Sequence, residues 1–320
     1  MKAAVNYENG PPSVLRYEEV PDPQPGQGEI LFKVEAISIE GGDLLNRRMF
    51  APPKTPHIIG YQAAGTVVAT GPGVKRFKVG QRVASLFWAG GYAELRAVPE
   101  DMAWPVPDGL DIKIASAVPA TFGTADDALF SWGGLKPGET VLVHGSAGGV
   151  GLATIQLAHA AGAKVICTSS SDERLERLKA FGMDHGINHR KVDFAEEARR
   201  LTGGKGVDLA VDMVGGDDFQ KVMKATAFRG RIAIVGFANG KPGMINQSDL
   251  IVNGLILLGV YLGPEMASER VRAMIDKHMR ACAVGTEKMP IDRIFPLSEA
   301  AAAHHHIETG HPFGRVIMVP

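Results

Sequence analysis

The rhythm of apolar positions along the chain changes near residue 120. Before that point, apolar residues come in short runs broken by glycine and proline. Lys2–Asn6, Tyr17–Val20, Ile30–Ile37, Gly60–Thr70, Val79–Ala84 and Tyr92–Val98 read as strands, joined by turn-rich connectors such as PDPQPGQG at Pro21–Gly28. Only Asp43–Met49 and Ile112–Pro119 suggest short helices. This predicts a barrel-like, β-rich domain. From about Ala120, strand patterns alternate with helical ones. Thr121–Leu129 begins a linking helix. Thr140–His144, Lys164–Thr168, His185–Asn188, Val207–Asp212, Arg231–Gly236 and Leu255–Leu262 read as strands, and Asp172–Phe181, Phe194–Leu201 and Asp217–Ala225 as helices among them. Six strands with intervening helices predict an α/β fold with a doubly wound parallel sheet. Pro264–Cys282 reads as a long amphipathic helix, Ser298–Glu308 as another, and Arg315–Val319 as a last strand. The expected organisation is a first domain over residues 1–119, completed by about 264–320, and a second over residues 120–263.

The chain is organised around Glu139–His159, ETVLVHGSAGGVGLATIQLAH. Val141, Leu142 and Val143 form a continuous apolar run, as in a strand buried on both faces. Gly148, Gly149 and Gly151 let the backbone turn and approach a ligand without a Cβ in the way. The helix that follows, to about Ala161, points its free N–H groups and positive dipole end at the turn, which suits a diphosphate. The usual dinucleotide spacing is G-x-G-x-x-G. Gly148 and Gly151 fill its second and third places, and Ser146 holds the first.

Composition narrows the setting. The chain has 320 residues, beyond the size at which one core usually keeps growing, so two domains are expected. Apolar residues are 45% and charged residues 22%, which is ordinary globular composition. A formal net charge of −1 gives no footprint for nucleic acid or an anionic membrane. No apolar run approaches the roughly 20 residues that span a bilayer, and MKAAVNYENG has no signal-peptide core. The only cysteines are Cys167 and Cys282, which points to a reducing, cytoplasmic setting and leaves no cysteine cluster for structural zinc.

Gly138–His159 resembles the signature of the zinc-independent quinone oxidoreductases, the zeta-crystallin branch of the medium-chain dehydrogenases. Gly138, Glu139, Leu142, the small pair Ser146-Ala147, Gly148-Gly149, Gly151, Gln156 and His159 all stand at the spacing that signature asks for. The likeness extends through GPGVKRFKVGQRV (Gly71–Val83), GGYAELRAVP (Gly90–Pro99), Thr124-Ala125, VDMVGG (Val211–Gly216) and the terminal HPFGRVIMVP. The resemblance implies a GroES-like catalytic domain, a Rossmann domain and a cofactor cleft between them. It implies Ser146, Ala147, Gly148, Gly149 and Val150 at the diphosphate, and a threonine close to the nicotinamide at Thr124.

The second strand favours NADPH over NADH. An NAD site places an acid about 20 residues past the glycines, on the ribose 2′-OH. Here the strand ends Cys167-Thr168-Ser169-Ser170-Ser171, with no acid before Asp172, which reads as the start of the next helix. Ser169, Ser170 and Arg174 supply hydroxyls and a cation for a 2′-phosphate. Arg174 stands where the family often has a phosphate-binding lysine; its alternative is a solvated helix residue. His189 holds the place of a family tyrosine near the adenine ribose. Ligands in such sheets bind beyond the carboxyl ends of the strands, which adds Val214, Gly236, Phe237 and Ala238, with Phe313 and Arg315 from the terminal strand. Phe237 and Phe313 read equally as core.

Zinc-dependent relatives use a Cys near the end of an early strand, a His-Glu pair and a later Cys. This chain has SIEGGDLL (Ser38–Leu45) at the first place and Tyr61-Gln62 at the second, so no metal site is expected. His304, His305 and His306 fan out at about 100° per residue on a helix and read as a helix surface. Quinone reductases commonly carry an Asn in the first active-site loop, where this chain has Glu40. Glu40 reads either as a residue that borders the nicotinamide or substrate and relays a proton, or as a loop carboxylate paired with Arg47 or Arg48. Phe50, Phe87 and Trp88 are candidates for an apolar substrate pocket. The expected activity is NADPH-dependent, zinc-independent hydride transfer to a quinone or similar conjugated carbonyl. The alternatives are C=C reduction of an enone or alkenal, and NADPH binding with little turnover. Leu255–Leu262 (LILLGVYL) is very apolar for an edge strand, and a homodimer through it is expected.

Overall fold

The computed structural model describes all 320 residues. They divide into two compact units, Met1–Gly123 with Gly263–Pro320, and Thr124–Leu262. No helix is long and apolar enough to cross a membrane.

The first unit is built on a seven-stranded sheet. Its order is Ile291–Pro296, Arg315–Val319, Glu29–Ser38, Gln62–Thr70, Arg82–Leu86 and Ala103–Pro105, with Leu95–Pro99 also paired to Glu29–Ser38. A small sheet joins Arg16–Glu19, Lys2–Asn6 and His57–Ile58. The long strand Glu29–Ser38 alternates around Ile30, Phe32 and Val34, whose burial anchors a core with Val67, Val83, Tyr92, Val98 and Met318. At its end it pairs antiparallel with the terminal strand, Ser38 opposite Ile317 and Ile37 opposite Met318. The chain then turns at Glu40 into the helix Gly41–Met49.

The second unit is a six-stranded, all-parallel sheet. Its order is His185–Asn188, Lys164–Ser169, Thr140–His144, Val207–Asp212, Thr226–Ile234 and Ile256–Gly259. Thr140–His144, the first of these strands in the chain, lies between the second, Lys164–Ser169, and the fourth, Val207–Asp212, so the winding reverses there. That reversal is where such sheets bind ligands. Val141, Leu142 and Val143 are fully buried, as their apolar run predicts.

Several elements differ from the sequence reading. The strand expected at Arg231–Gly236 runs over Thr226–Ile234, with Arg229 at a positive φ of 61° inside it and a register shift between Val207 and Leu209 in its pairing. The helix after Ser171 is α-helical only to Leu178, and a 3-10 turn then ends at Gly182 with φ 103°. The linking helix begins earlier, at Val118, and closes in a π turn over Asp127–Ser131. The helix expected from Pro264 starts at Glu269, where the Ser268 side chain accepts from the Val271 N–H. Only Ile256–Gly259 of the apolar run Leu255–Leu262 pairs as strand. The helix Gln247–Asn253 and the strand Ile291–Pro296 were not legible; the strand IDRIFP is mostly solvent-facing and lacks an apolar rhythm.

Candidate functional site

Chemistry-bearing side chains gather in two places. The first lies at the carboxyl ends of the parallel strands in the second unit. Strand Thr140–His144 runs into Gly145, whose φ of 96° is left-handed, and helix Gly149–Ala160 follows with Gly148 as its N-cap. The glycines have different jobs. A Cβ on Gly151 would lie 2.5 Å from the Gly145 oxygen and 2.6 Å from the Ser146 oxygen, so Gly151 lets the helix pack on the turn. A Cβ on exposed Gly148 would meet nothing closer than 3.9 Å. That open surface, beside a free helix N-terminus, is what a diphosphate needs. The Ser146 hydroxyl is turned away from it: it donates to the Val143 oxygen at 2.7 Å and the Thr168 oxygen at 3.1 Å, and ties two strand ends together. Only the backbone of Ser146 is left for a ligand. Ala147 and Val150 are half-buried along the same turn. Gln156 bonds back to Leu152 at 3.0 Å and His159 packs over Gly182, so the far end of the signature is structural.

On one side of the turn, the loops after the fourth and fifth strands pair with each other. Asp212 accepts from the Val214 N–H at 3.0 Å and from the Gly215 N–H, and burial pushes its carboxyl up to about 6. Ala238 N–H donates to Met213 at 3.0 Å and Asn239 N–H to Val214 at 3.2 Å. These bonds bring Val214, Gly236, Phe237 and Ala238 into one rim, and Val214 lies against Gly145. Phe237 is half-buried there.

On the other side, Arg174 Nη2 donates to the Ser170 hydroxyl at 2.6 Å. Ser169 is only 6% exposed and its hydroxyl accepts from the Ser171 N–H, so Ser170 rather than Ser169 faces outward with Arg174. Asp172 is occupied by Asn188 at 2.7 Å and Lys191 at 2.5 Å, and the Lys191 bond holds its carboxyl below the usual range. Arg174 is lowered first by burial and then by the like charge of Arg190. Arg190, next to His189 in INHR, was missed in the sequence; its adjacency to a candidate was the available signal. His189 is half-buried with an unpartnered Nδ1, and burial holds its imidazole low. His144, also unforeseen, accepts or donates at Thr168 Oγ1 over 2.7 Å and stacks on Phe194 at 4.8 Å. Burial brings it down to about 4.

The second place is a buried polar cluster in the first unit. Glu40, Ser38 and Gln62 are 7%, 0% and 0% exposed. Ser38 Oγ at 3.1 Å and Gln62 Nε2 at 2.5 Å both donate to Glu40 Oε1. The Gln62 oxygen accepts from the Ala120 N–H at 2.7 Å, which fixes the amide's orientation. Arg315 donates from Nη2 to Glu40 Oε1 and the Ile39 oxygen, and from Nε to Ser38 Oγ at 3.0 Å. The expected alternative partners of Glu40, Arg47 and Arg48, are corrected: Arg47 bonds Gly10 at 2.9 Å and Glu308 instead. Burial raises the Glu40 carboxyl, and Arg315 opposes that rise. Behind Glu40, Asp43 accepts from the Glu40 N–H at 2.8 Å, the Tyr61 N–H at 3.0 Å and Tyr92 OH at 3.2 Å, and burial pushes it up to about 7.

The remaining candidates separate. Thr124 lies half-buried on helix Val118–Asp126. Phe313 is 3% exposed with its N–H on Asp292 at 3.0 Å, a core position. Phe87 packs against the core of the first unit, whereas Phe50 and Trp88 are exposed. The three histidines do not form a common helix surface. His304 is fully buried with Nε2 2.8 Å from Tyr92 OH, His305 is exposed, and His306 pairs with Asp292 at 2.8 Å.

Residues 26–108 match the family described as the alcohol dehydrogenase GroES-like domain, and residues 149–279 match the zinc-binding dehydrogenase family. A 2-haloacrylate reductase from Burkholderia sp is 34% identical, over 99% of this chain and 98% of the relative. The quinone oxidoreductase of Rattus norvegicus is 31% identical, over 100% of this chain and 98% of its own. Among solved structures, a mycobacterial protein complexed with NADPH superposes with a TM-score of 0.95 at 33% identity, each chain fully covered. The donor set of this chain does not fit the zinc of the second family's description. The buried cluster offers a carboxylate, an amide and a hydroxyl already engaged by a guanidinium, with no thiolate or imidazole among them.

Proposed function

Because the chain belongs to the quinone oxidoreductase-like branch of the medium-chain dehydrogenase/reductase superfamily, we propose that it is an NADPH-dependent, zinc-independent reductase of quinones or related conjugated carbonyls. The observation that carries the cofactor choice is the Arg174–Ser170 pair at 2.6 Å with Arg190 beside it, where an NAD site would place a carboxylate. Two cations and a hydroxyl suit a 2′-phosphate, and the acid nearby, Asp172, is already neutralised by Lys191. His189 lines the same end of the sheet.

When bound, NADPH supplies the hydride; the protein supplies binding, orientation and electrostatics. Gly148 and the N-terminus of helix Gly149–Ala160 hold the diphosphate, with Val214 and Gly236–Ala238 as the rim. Thr124 is assigned to the nicotinamide end. In the first unit, Glu40 sits on a fixed polar platform of Ser38, Gln62 and Arg315 and is assigned to the acceptor's proton balance. Phe50 and Trp88 are assigned to the acceptor pocket as exposed apolar surface.

A second acceptor class has its own support. The 2-haloacrylate reductase at 34% identity favours hydride delivery to an activated C=C bond. Oxidation of NADPH with naphthoquinone, benzoquinone, an enal, 2-chloroacrylate and an aldehyde separates the readings. Turnover with a quinone or enal, and kcat/KM for NADPH well above that for NADH, is the expected result. Arg174→Ala should lower that preference by about ten-fold or more, since it removes a charge-assisted bond to phosphate. Equal efficiency with the two cofactors would defeat the NADPH reading. Tight NADPH binding without turnover of any acceptor would make the chain a binding protein.

A homodimer belongs to the same reading. Strand Ile256–Gly259 is the sheet's edge, and Ile251, Val252 and Tyr261 near it are 80%, 74% and 65% exposed.

A further inference from the structure

Arg315 is almost wholly enclosed, yet its guanidinium is not fully used. Nε is bonded to Ser38, and Nη2 to Ile39 and Glu40. Nη1 makes no hydrogen bond, and it is not among the buried atoms left without a partner. The side chain's residual 9% exposure therefore includes a free N–H pair. A guanidinium that shows only one unbonded edge is a ready anion site.

Its counter-charge decides what happens when that edge is filled. Glu40 and Arg315 balance each other in a buried place. A second anion on Nη1 would leave one uncompensated negative charge there, which is costly. The cheapest response is to neutralise Glu40, whose carboxyl burial already pushes upward. Of the other titratable groups around it, Asp43 is also pushed up by burial, to about 7, but it does not touch Arg315 and so loses no partner when that edge is filled. Asp43 faces it through the Glu40 N–H, and Tyr92 lies behind Asp43 with a phenol that burial pushes well up. His304, on the far side of Tyr92, is pushed down to about 3 by burial and then by Arg47. Arg96, which also feels Asp43, is committed to Ser85 and to carbonyls of Gly60, Tyr61, Phe87 and Ala89. Gln62 and Ser38 are uncharged.

We propose that Arg315 and Glu40 form a proton-coupled anion site: an anionic oxygen binds at Arg315 Nη1, and Glu40 takes up a proton from solvent as it does. The anion is either a phosphoryl oxygen of the dinucleotide or the oxyanion of a reduced acceptor. The proposal rests on the reductase reading only for that identity, and it makes Glu40 a proton carrier that is loaded by binding.

Calorimetric titration in buffers of different ionisation enthalpy tests it, because the slope of heat against buffer enthalpy counts protons. Inorganic pyrophosphate probes the phosphoryl source and anionic 2-hydroxy-1,4-naphthoquinone the acceptor source. One of them is expected to bind the wild type with net proton uptake. Glu40→Gln should abolish the uptake while binding is retained or tightened. Arg315→Gln should weaken binding at least about ten-fold, and Arg315→Lys should weaken it less. Circular dichroism checks the fold, and if Arg315→Gln does not fold, the proton count of Glu40→Gln with the affinity of Arg315→Lys decides. Uptake that persists in Glu40→Gln, affinity unchanged by either Arg315 substitution, or failure of both probes to bind would overturn the proposal. Neither probe needs turnover. A proton-linked anion site in a protein that reduces no acceptor would sink the reductase reading and leave this one standing.

Discussion

His304 is closed off by Tyr92 on one side and has an unpartnered Nδ1 on the other. Burial, then the charge of Arg47, takes its imidazole down to about 3, so it is neutral in the folded chain at all ordinary pH. In the unfolded chain it titrates near 6.5. Between those values the unfolded state binds more protons. Stability therefore rises with pH across that window and is lost as pH falls below about 6.5, by at most about 1.4 kcal/mol per pH unit. Asp43 acts with the opposite sign, because its folded value near 7 lies above its unfolded 3.8 and stability falls as pH rises between them. The two are separated by substitution. His304→Gln, which keeps a partner for Tyr92, should show a smaller loss of melting temperature from pH 7 to pH 5 than the wild type. Equal losses would mean that His304 is not held neutral. None of this is written in the triplet His304-His305-His306, where three identical letters meet three different environments.

At the level of elements, the glycine turn separates packing from binding. Gly151→Ala forces a Cβ against the oxygens of Gly145 and Ser146 at 2.5 and 2.6 Å. It should destabilise the chain by about 1–3 kcal/mol, as overpacking does. Gly148→Ala meets open space at φ −80°, a conformation any residue adopts. It should leave the melting temperature unchanged and weaken NADPH binding in a fluorescence titration, since the added methyl would stand in the proposed diphosphate site. Unchanged affinity would remove Gly148 from the site. Strand, turn and helix were legible here because apolar periodicity and glycine spacing are local properties. The direction of the Ser146 hydroxyl was not, because it depends on the carbonyls of Val143 and Thr168, one of which arrives from the neighbouring strand.

For the whole molecule, the proposed assembly rests on one edge of the parallel sheet. Strand Ile256–Gly259 pairs only with Thr226–Ile234, and Met244, Phe228, Ile251 and Val252 leave a large apolar area exposed in the same unit. The proposed second copy would cover these side chains and remove them from water. Light scattering at micromolar concentration should find a dimer, and Ile251→Glu with Val252→Glu should convert it to a monomer. A wild type that is monomeric throughout would leave the patch to another partner.

Sequence by itself determined the parallel strands of the second unit, the turn at their centre and the missing acid after Lys164–Thr168, because each rests on neighbours within one or two elements. It also determined the family, through spacing that survives in the letters. Tertiary structure decided the rest. It paired Glu40 with Arg315, 275 positions away, in place of the nearby Arg47 and Arg48. It turned Ser169 inward and brought Arg190 alongside Arg174. It sealed His304 while leaving His305 in water. A side chain's charge and hydrogen bonds answer to whatever packs against it, and for residues far apart in the chain only the folded backbone says what that is.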